Sequence, residues 1–444
     1  MNKNLRIFWA GLLGLSAIWF LSDPGALRNL PTFFAFRDVF MQYSGVLAIG
    51  VMSVSMLLAL RPVALESQLG GLDKMYRLHK WLGITALVVS VCHWLMAKGP
   101  KWATAWGLLE RRVRGPRPPL PDGLIHHFFA AQRGLAESVG EWAFYGAAIL
   151  MLIALIKWFP YKLFVKTHTV LAIAYLVLAF HTVVLLKWDN WPTPVGVLVA
   201  LLVIGGVFAA LRILTGRRSQ HRKVSGRVIG VEHHALLNVV TVDIALDKAW
   251  PGHQAGQFAF LTLDAGEGAH PYTISSAWQG DGSISFTIKA LGDYTRQLAH
   301  TVAVGDAVTV EGPYGRFTFD GNRQRQIWIG GGIGITPFMA RLQALAQATQ
   351  PRPIDLFHST TVLDEGIIDR LQSDAQNAGV NLHVLWDPRD GRLDAQKLSQ
   401  KVPEWKDADI WFCGPARFGH ALRSQLQRMG FDVRRFHQEL FEMR

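Results

Sequence analysis

Four histidines lie inside long apolar segments of the chain. His79 and His93 share one segment and His168 and His181 share another, whereas the rest of the 16 histidines lie elsewhere. A polar ring is costly inside a membrane-spanning helix, so an intramembrane histidine usually has a function. Imidazole is a common axial ligand of haem iron, and facing helices of a bundle build cofactor sites. The chemistry indicated is therefore haem ligation.

The spacing of these histidines indicates where their rings point. His93 follows His79 by 14 residues, which at ~100° per residue returns the side chain to within about 40° of the same helix face, roughly 21 Å further along the axis. His181 follows His168 by 13 residues, which predicts a locally bent or wound helix, or macrocycles rotated relative to each other. The pairs His79 with His168 and His93 with His181 would hold two haems b.

Two other interpretations of the histidines remain open. A single histidine in an apolar segment is more often a hydrogen-bonded packing residue, although the matched pairs disfavour this. A zinc or copper site is disfavoured because each pair lacks further ligands at its depth. The two cysteines, Cys92 and Cys413, are expected in different compartments, so neither a disulfide framework nor a cysteine metal cluster is expected.

Membrane spans are the elements that must position the histidines, because ~20 apolar residues cross a bilayer as a helix. The spans are predicted at residues 5–21, 39–60, 77–98, 137–159, 163–187 and 194–214. The first begins like a signal peptide, but no small-residue cleavage site follows it, so we interpret it as a retained span. An even number of spans places both termini on one side of the membrane. The third and fifth spans then run in the same direction, so the two histidines of each pair lie at the same depth in the membrane.

The net charge of +12 comes largely from lysine and arginine beside the spans, which favours contact with anionic membrane lipid. No basic-aromatic array is present, so no nucleic-acid partner is expected. Basic residues flank the spans on both sides of the membrane, so the positive-inside rule does not decide the orientation. We place the termini in the cytoplasm because the second half contains a nucleotide-binding pattern. The basic loop 98–133 is then external. Its central arginines are Arg111, Arg112, Arg114 and Arg117.

The second half of the chain predicts two further domains. From residue 219, short β-branched segments separated by Gly, Pro and Asp turns predict a small antiparallel barrel. After residue 321, the order of strand, Gly-rich turn, helix and strand predicts a parallel sheet. The predicted domains are therefore 1–216, 219–321 and 322–444.

Two motifs in this half could bind cofactors. The turn 330–337 joins a strand to a helix, where backbone N–H groups and the helix dipole suit a pyrophosphate. The segment 270–276 offers a ring, hydroxyls and amides that suit a flavin, although an ordinary polar turn has the same composition. The candidate residues are His270, Pro271, Tyr272, Thr273, Ser275 and Ser276 in the second motif, and Gly331, Gly332, Gly334, Thr336 and Pro337 in the first.

These motifs resemble those of the ferredoxin-NADP reductase family. The segment 270–276 looks like its flavin-binding strand, Gly292 and Thr295 like its flavin-pyrophosphate helix, and the turn 330–337 like its nicotinamide-nucleotide loop. With the four-histidine half, the resemblance extends to the NADPH oxidase and ferric reductase superfamily. It implies a six-helix transmembrane bundle, an antiparallel β-barrel FAD domain and a Rossmann-like α/β NAD(P) domain.

The resemblance also implies residues near the nicotinamide. Cys413, Gly414 and Pro415 look like the family's nicotinamide-site turn. Glu439 and Phe441 look like its C-terminal pair, in which the aromatic ring stacks on the flavin, although three residues follow Phe441 here. By this resemblance Cys413 and Phe441 are the candidate catalytic residues.

The cofactor phosphate is a separate question. Ser359, Thr360 and Arg389 lie near where the family reads the adenosine ribose. No arginine directly follows the second strand of the parallel sheet, so NADPH is expected but NADH remains possible.

The implied function is electron transfer across the cytoplasmic membrane of a bacterium. NADPH would deliver hydride to FAD, and single electrons would pass through the inner and outer haems to an external acceptor. The basic external loop favours a ferric chelate, although contact with lipid explains its charge equally well. Reduction of O2 to superoxide, a redox subunit that feeds a periplasmic protein, and a non-redox transporter are the alternatives. No obligate protein partner is expected.

Overall fold

The computed structural model describes residues 3–26, 30, 32–110, 123–156, 158–247, 249–347 and 352–439. The chain divides into two compact units. The first unit comprises the chain up to Ser219 except Gly71–Asp73, and the second comprises those three residues and the chain from Gln220.

The first unit is helical. Among the described residues, six helices are long and apolar enough to cross a membrane, which confirms the predicted number of spans. The helices are α1 (Lys3–Ser22), α2 (Phe33–Ala59), the short α3 (Val63–Leu69), α4 (Leu72–Ala105), α5 (Leu124–Leu155), α6 (Tyr161–Leu185) and α7 (Pro194–Leu214). Helix α4 extends beyond the predicted span 77–98 at both ends, whereas α5 begins before the predicted residue 137 and ends at Leu155, short of the predicted residue 159.

The packing within this unit is uneven. Helices α5 and α6, α2 and α7, and α6 and α7 pack closely. Helix α4 contacts α2 and α5 through side chains, for example Arg37 with the Met96 carbonyl and Trp94 with Phe144. Tyr175 on α6 is buried in the close-packed part, where its hydroxyl lies 2.8 Å from that of Ser53 on α2. A Cβ on Gly206 of α7 would lie 1.9 Å from the same hydroxyl. Small residues thus let these helices approach each other.

The second unit begins with a six-stranded antiparallel sheet in the order β4-β3-β6-β1-β2-β5. Its elements are β1 (Lys223–His234), β2 (Val239–Leu246), β3 (Phe258–Thr262), β4 (His270–Thr273), β5 (Ser283–Lys289), α8 (Asp293–Thr301) and β6 (Ala307–Tyr314). Between the two edge strands, the described residues show one isolated bridge, Ile274 to Phe286.

The strands are antiparallel as predicted, and the barrel itself stays a prediction. The chain just after β4 meets β5 at the Ile274–Phe286 bridge and at a 2.9 Å hydrogen bond from the Ser275 amide to the Ser285 carbonyl. The edge strand β4 is only four residues long and contains Pro271, which has no N–H to donate. Such a strand cannot support a long ladder on its free side.

A five-stranded parallel sheet follows, in the order β11-β10-β7-β8-β9. Its elements are β7 (Gln326–Gly331), α9 (Thr336–Leu345), β8 (Ile354–Thr360), α10 (Glu365–Asn377), β9 (Asn381–Trp386), α11 (Asp387–Asp390), α12 (Ala395–Lys401), β10 (Asp409–Cys413), α13 (Ala416–Arg428) and β11 (Phe436–Gln438). Hydrophobic clusters cover both faces, which is why the strands are continuous apolar runs. The predicted Rossmann-like sheet is confirmed, and the carboxyl ends of its strands meet at one edge.

Candidate functional site

The structure brings His79 and His168 together. Their ring centroids are 6.0 Å apart and their planes are inclined by 66°, which leaves room for a metal bonded to one nitrogen of each ring at about 2 Å. Nδ1 of His79 donates to the carbonyl oxygen of Ser55 on α2 at 3.0 Å, so Nε2 is the nitrogen left for a metal. Nδ1 of His168 is buried without a hydrogen-bond partner among the described residues.

The other two imidazoles are also held through Nδ1. His181 donates from Nδ1 to the carbonyl oxygen of Ala136 on α5 at 2.8 Å, and a Cβ on Gly140 would lie 2.1 Å from that nitrogen. Nδ1 of His93 lies 2.9 Å from Oγ of Ser44 on α2. Because the Ser44 hydroxyl donates to a backbone carbonyl at 2.6 Å, it accepts from His93. Both rings therefore keep Nε2 available.

These imidazoles fit the axial ligands of two haems. Within the described residues, no group of three or more His, Cys, Asp or Glu side chains could hold a metal ion. Three of the four imidazoles have an engaged Nδ1–H group, which matches the usual outer contacts of metal-bound histidine. Helix α6 is α-helical throughout Tyr161–Leu185, so a change of helix type does not account for its 13-residue histidine spacing.

The flavin-binding candidates lie on β4 and just after it. The His270 ring stacks on Tyr294 with centroids 4.6 Å apart. Burial lowers the pKa of His270. Burial, with the nearby carboxylates of Asp264 and Glu267, raises the pKa of Tyr294 to about 12. Both rings are therefore neutral at pH 7 and form an aromatic surface beside β4.

The hydroxyls of the same segment are engaged in the sheet. Thr273 is buried, Ser275 Oγ accepts from Thr287 at 3.1 Å, and Ser276 Oγ accepts from the Ser285 amide at 3.0 Å. They hold the chain after β4 in place against β5, where the Ser275 amide also donates to the Ser285 carbonyl at 2.9 Å.

Helix α8 begins directly after Gly292. Oγ1 of Thr295 accepts from the amides of Leu291 and Gly292, both at 2.9 Å, and donates to the Gly292 carbonyl. The hydroxyl is thus used in shaping the turn. The first-turn N–H groups of α8 point outward and suit an anionic group.

The glycine-rich turn joins β7 to α9 as predicted. The Thr336 hydroxyl donates to the Ile333 carbonyl at 3.1 Å and Pro337 lies in the first turn of α9. A Cβ on Gly334 would lie 2.2 Å from the Cys413 carbonyl oxygen. The turn and the end of β10 therefore pack backbone against backbone.

That contact places Gly331 and Gly334 against the predicted nicotinamide turn. Gly414 has a φ of +157°. A Cβ added to Gly414 would lie 3.1 Å from the Gly331 backbone. A Cβ on Gly331 would in turn lie 3.1 Å from the Pro415 ring.

Cys413 ends β10 and is only 2% exposed. Burial, together with the negative charge of Glu439, raises the pKa of its thiol well above the ordinary value. The thiol is therefore neutral and unsuited to act as a thiolate nucleophile. Glu439 is also buried, whereas Phe441 and the three residues after it lie outside the described residues.

The adenosine-ribose candidates lie at the carboxyl ends of β8 and β9. Ser359 donates to the Asp387 carboxylate at 2.9 Å, and Thr360 donates to the Val362 carbonyl at 2.8 Å. Arg389 is bound to its neighbour Asp390. The sequence analysis did not single out either carboxylate.

A cleft of about 340 Å3 opens between the two sheets of the second unit, within the usual size range of ligand sites. It adjoins the glycine-rich turn and the end of β8. Its polar lining includes Glu232, Asp243, Ser276, Lys289, His358 and Thr360. Backbone groups of Gly332 and Ile333 also line it, so the cleft reaches the predicted phosphate-binding turn.

His358 in this cleft predicts a pH dependence of stability. Its Nδ1 lies 3.3 Å from the Gly330 carbonyl oxygen, and burial lowers the pKa of His358 to about 4. The unfolded chain, with a pKa near ~6.5, binds more protons between these values, so the free energy of unfolding falls as pH falls through this window, by about 2 kcal/mol from pH 7 to pH 5. Thermal unfolding followed by flavin release should show this loss.

His358→Gln should remove most of that pH-dependent loss. His300→Gln is the matched control, because His300 is exposed on α8. Equal pH dependence in His358→Gln and the unaltered protein would contradict the assignment.

Comparison with known proteins supports both halves. Residues 44–179 match the ferric reductase like transmembrane component family. Residues 231–318 match an FAD-binding domain family. This is the architecture of the NADPH oxidase and ferric reductase superfamily. The first match contains His79, His93 and His168 and ends two residues before His181. The second match contains the 270–276 segment and α8.

Two curated relatives each match less than half of the chain. The glycine betaine monooxygenase reductase subunit of Chromohalobacter salexigens is 30% identical over 213 residues, covering 42% of this chain and 55% of that protein. An NADPH oxidoreductase of Mycobacterium tuberculosis is 29% identical over 210 residues, covering 44% and 54%. The chain thus spans little more than half the length of these relatives.

Solved structures with a similar fold include the flavohemoglobin of Malassezia yamatoensis, with TM-score 0.46 and 19% identity over 72% of this chain and 88% of that one. The FAD/NAD-binding domain of nitric oxide dioxygenase from Vibrio cholerae gives TM-score 0.43 and 22% identity over 49% and 97%.

Proposed function

We propose that this chain carries electrons from a reduced nicotinamide dinucleotide, through FAD and two haems b, to an acceptor on the opposite face of the membrane. The observation that carries the proposal is the pair of imidazoles, His79 and His168, that face each other at 6.0 Å in the membrane half of a chain whose other half is a flavin-binding reductase module. When bound, FAD accepts a hydride and haem iron accepts single electrons.

The membrane residues hold and orient the ligands of the irons. His79 and His168 form one ligand pair, and His93 and His181 form the other. Acceptors from α2 and α5 fix the Nδ1–H tautomer of three of these rings, which raises the basicity of the ligating nitrogen. The two ligand pairs, whose members on α4 are 14 residues apart, would hold two haems, and each haem would supply one-electron chemistry at its own depth in the apolar layer.

The residues of the reductase half would bind the flavin and the dinucleotide and would cover the flavin ring. The segment after β4 and the start of α8 would hold the flavin, and the turn Gly331 to Gly334 at the start of α9 would bind the dinucleotide phosphates through backbone N–H groups. Cys413 offers a neutral thiol beside the nicotinamide, and Phe441 would cover the flavin ring.

We place both termini in the cytoplasm, where reduced nicotinamide is found, and the His93 end of α4 at the external face of a bacterial inner membrane. The proposed acceptor is a ferric chelate. The cationic sequence 98–133 supports an anionic acceptor, and Lys101 at the described start of this sequence is exposed. The arginines Arg111, Arg112, Arg114 and Arg117 lie outside the described residues.

The test is an anaerobic spectrum of the purified protein. Reduced nicotinamide should bleach the flavin and shift the haem Soret band, and ferric citrate added without any partner protein should reoxidise the haem. Absence of haem from folded, flavin-loaded protein would overturn the proposal. If O2 and ferric citrate reoxidise the haem at equal rates, the preference for a ferric chelate is removed. Reoxidation only with a periplasmic extract would indicate a protein acceptor.

A further inference from the structure

The carboxyl ends of β8 and β9 bring a serine and an aspartate together. The two strands pair in parallel up to Thr360 and Trp386, so Asp387, the next residue, lies beside the end of β8. Ser359 is buried and its hydroxyl donates to the Asp387 carboxylate at 2.9 Å. The Asp387 side chain is 16% exposed, so it can still meet a ligand at this edge.

The basic side chains nearby already have partners. Arg389 makes two hydrogen bonds of 2.9 Å to the Asp390 carboxylate. This guanidinium, with the Trp386 amide, lowers the pKa of Asp390 to about 2, so the pair is ionised at any physiological pH. Arg392 lies 3.4 Å from Asp387, and Lys397 donates to two backbone carbonyls.

In parallel α/β sheets a dinucleotide lies across the carboxyl ends of the strands. A carboxylate at the end of a strand accepts hydrogen bonds from the adenosine ribose hydroxyls of NADH, whereas NADPH requires an available arginine for its 2′-phosphate. Here the buried serine hydroxyl and Arg392 both hold the Asp387 carboxylate, and Arg389 is bound to the Asp390 carboxylate.

We propose that Asp387, positioned by Ser359, is the specificity-determining residue of the adenosine-ribose site and makes this chain prefer NADH to NADPH. The inference rests on the proposed function, because it assumes that a dinucleotide binds at this edge. The carboxylate repels a 2′-phosphate, and Asp390 withholds Arg389 from it. The sequence alone indicated NADPH with Arg389 as a phosphate ligand, and the hydrogen bonds of this edge reverse that preference.

The first test measures binding without electron transfer. Calorimetry on the full-length protein loaded with its cofactors compares ADP-ribose with 2′-phospho-ADP-ribose. We expect ADP-ribose to bind at least roughly tenfold more tightly, as for a like charge near a partly exposed carboxylate. Equal or tighter binding of the 2′-phosphorylated ligand would overturn the inference.

The second test uses variants and anaerobic bleaching of the flavin by each dinucleotide. Asp387→Asn should bring the kcat/KM ratio of NADH to NADPH about tenfold closer to one. Asp390→Asn should raise kcat/KM for NADPH, because it releases Arg389. Asp387→Ser provides a second substitution if the asparagine variant loses flavin.

Asp432→Asn is the matched control. Asp432 also pairs with an arginine, Arg434, through two carboxylate contacts, but it precedes β11 and so lies at the opposite edge of the parallel sheet. Its ratio should not change. An unchanged ratio in flavin-loaded Asp387→Asn and Asp387→Ser would overturn the inference alone, whereas failure of both dinucleotides to reduce the flavin would overturn the proposed function.

Discussion

Gly140→Ala should lose the haem held by His181 while the helices remain folded. The added Cβ would lie 2.1 Å from Nδ1 of His181 and 2.6 Å from Cγ, so the ring must move. The movement breaks the hydrogen bond to the Ala136 carbonyl, and loss of such an outer contact costs about 10- to 100-fold in metal affinity. Haem titration of the purified protein, followed by the Soret band, measures the change.

Gly146→Ala is the matched control for this substitution. Gly146 lies on the same helix, and a Cβ there would meet nothing within 4 Å. Both substitutions raise helix propensity by the same ~1 kcal/mol, so a difference between them reports the His181 contact. If the two variants bind haem with equal affinity, the ring does not rest against Gly140 in the haem-loaded protein.

His181→Ala should halve the haem content and abolish reduction of an external acceptor. The substitution removes one ligand of the pair formed with His93 and leaves the His79–His168 pair, whose centroids are 6.0 Å apart, unaltered. Pyridine haemochromogen assays should therefore give about half the haem of the unaltered protein, as expected when one of two sites is lost. Flavin reduction by nicotinamide should continue at its normal rate.

His126→Ala serves as the control for that experiment. His126 is on α5, stacks on Trp188 with centroids 4.3 Å apart, and belongs to neither pair. It should retain both haems. Loss of both haems in His181→Ala, with α-helical content intact, would contradict the assignment of ligand pairs.

The spacing of the histidines predicted their grouping, but the sequence could not predict what holds their rings. The acceptors for His79 and His181 are backbone carbonyls, which every residue carries, so no residue type marks them. Ser44 was detectable in principle, because its side-chain hydroxyl, and not its backbone, accepts from His93.

In the second unit, the local sequence pattern predicted most strands. It could not predict contacts between residues that are distant in the sequence. The glycine-rich turn was predicted correctly because strand, glycines and helix are contiguous. The Ser359 to Asp387 hydrogen bond depends on the register of β8 and β9, which no single segment specifies. The antiparallel strands were predicted, but the way in which the two edges of the sheet meet depends on the pairing of Ile274 with Phe286, which no single segment specifies.

The position of two proposed haem ligands on α4 and two on α6 links haem binding to the maturation of the protein. A group held between His79 and His168 would join α4 to α6. Because a bound group stabilises only the state that binds it, iron porphyrin supply would set how much of the newly made chain matures and how much is cleared by proteolysis. Abundance in the membrane would then follow haem biosynthesis even at constant transcription.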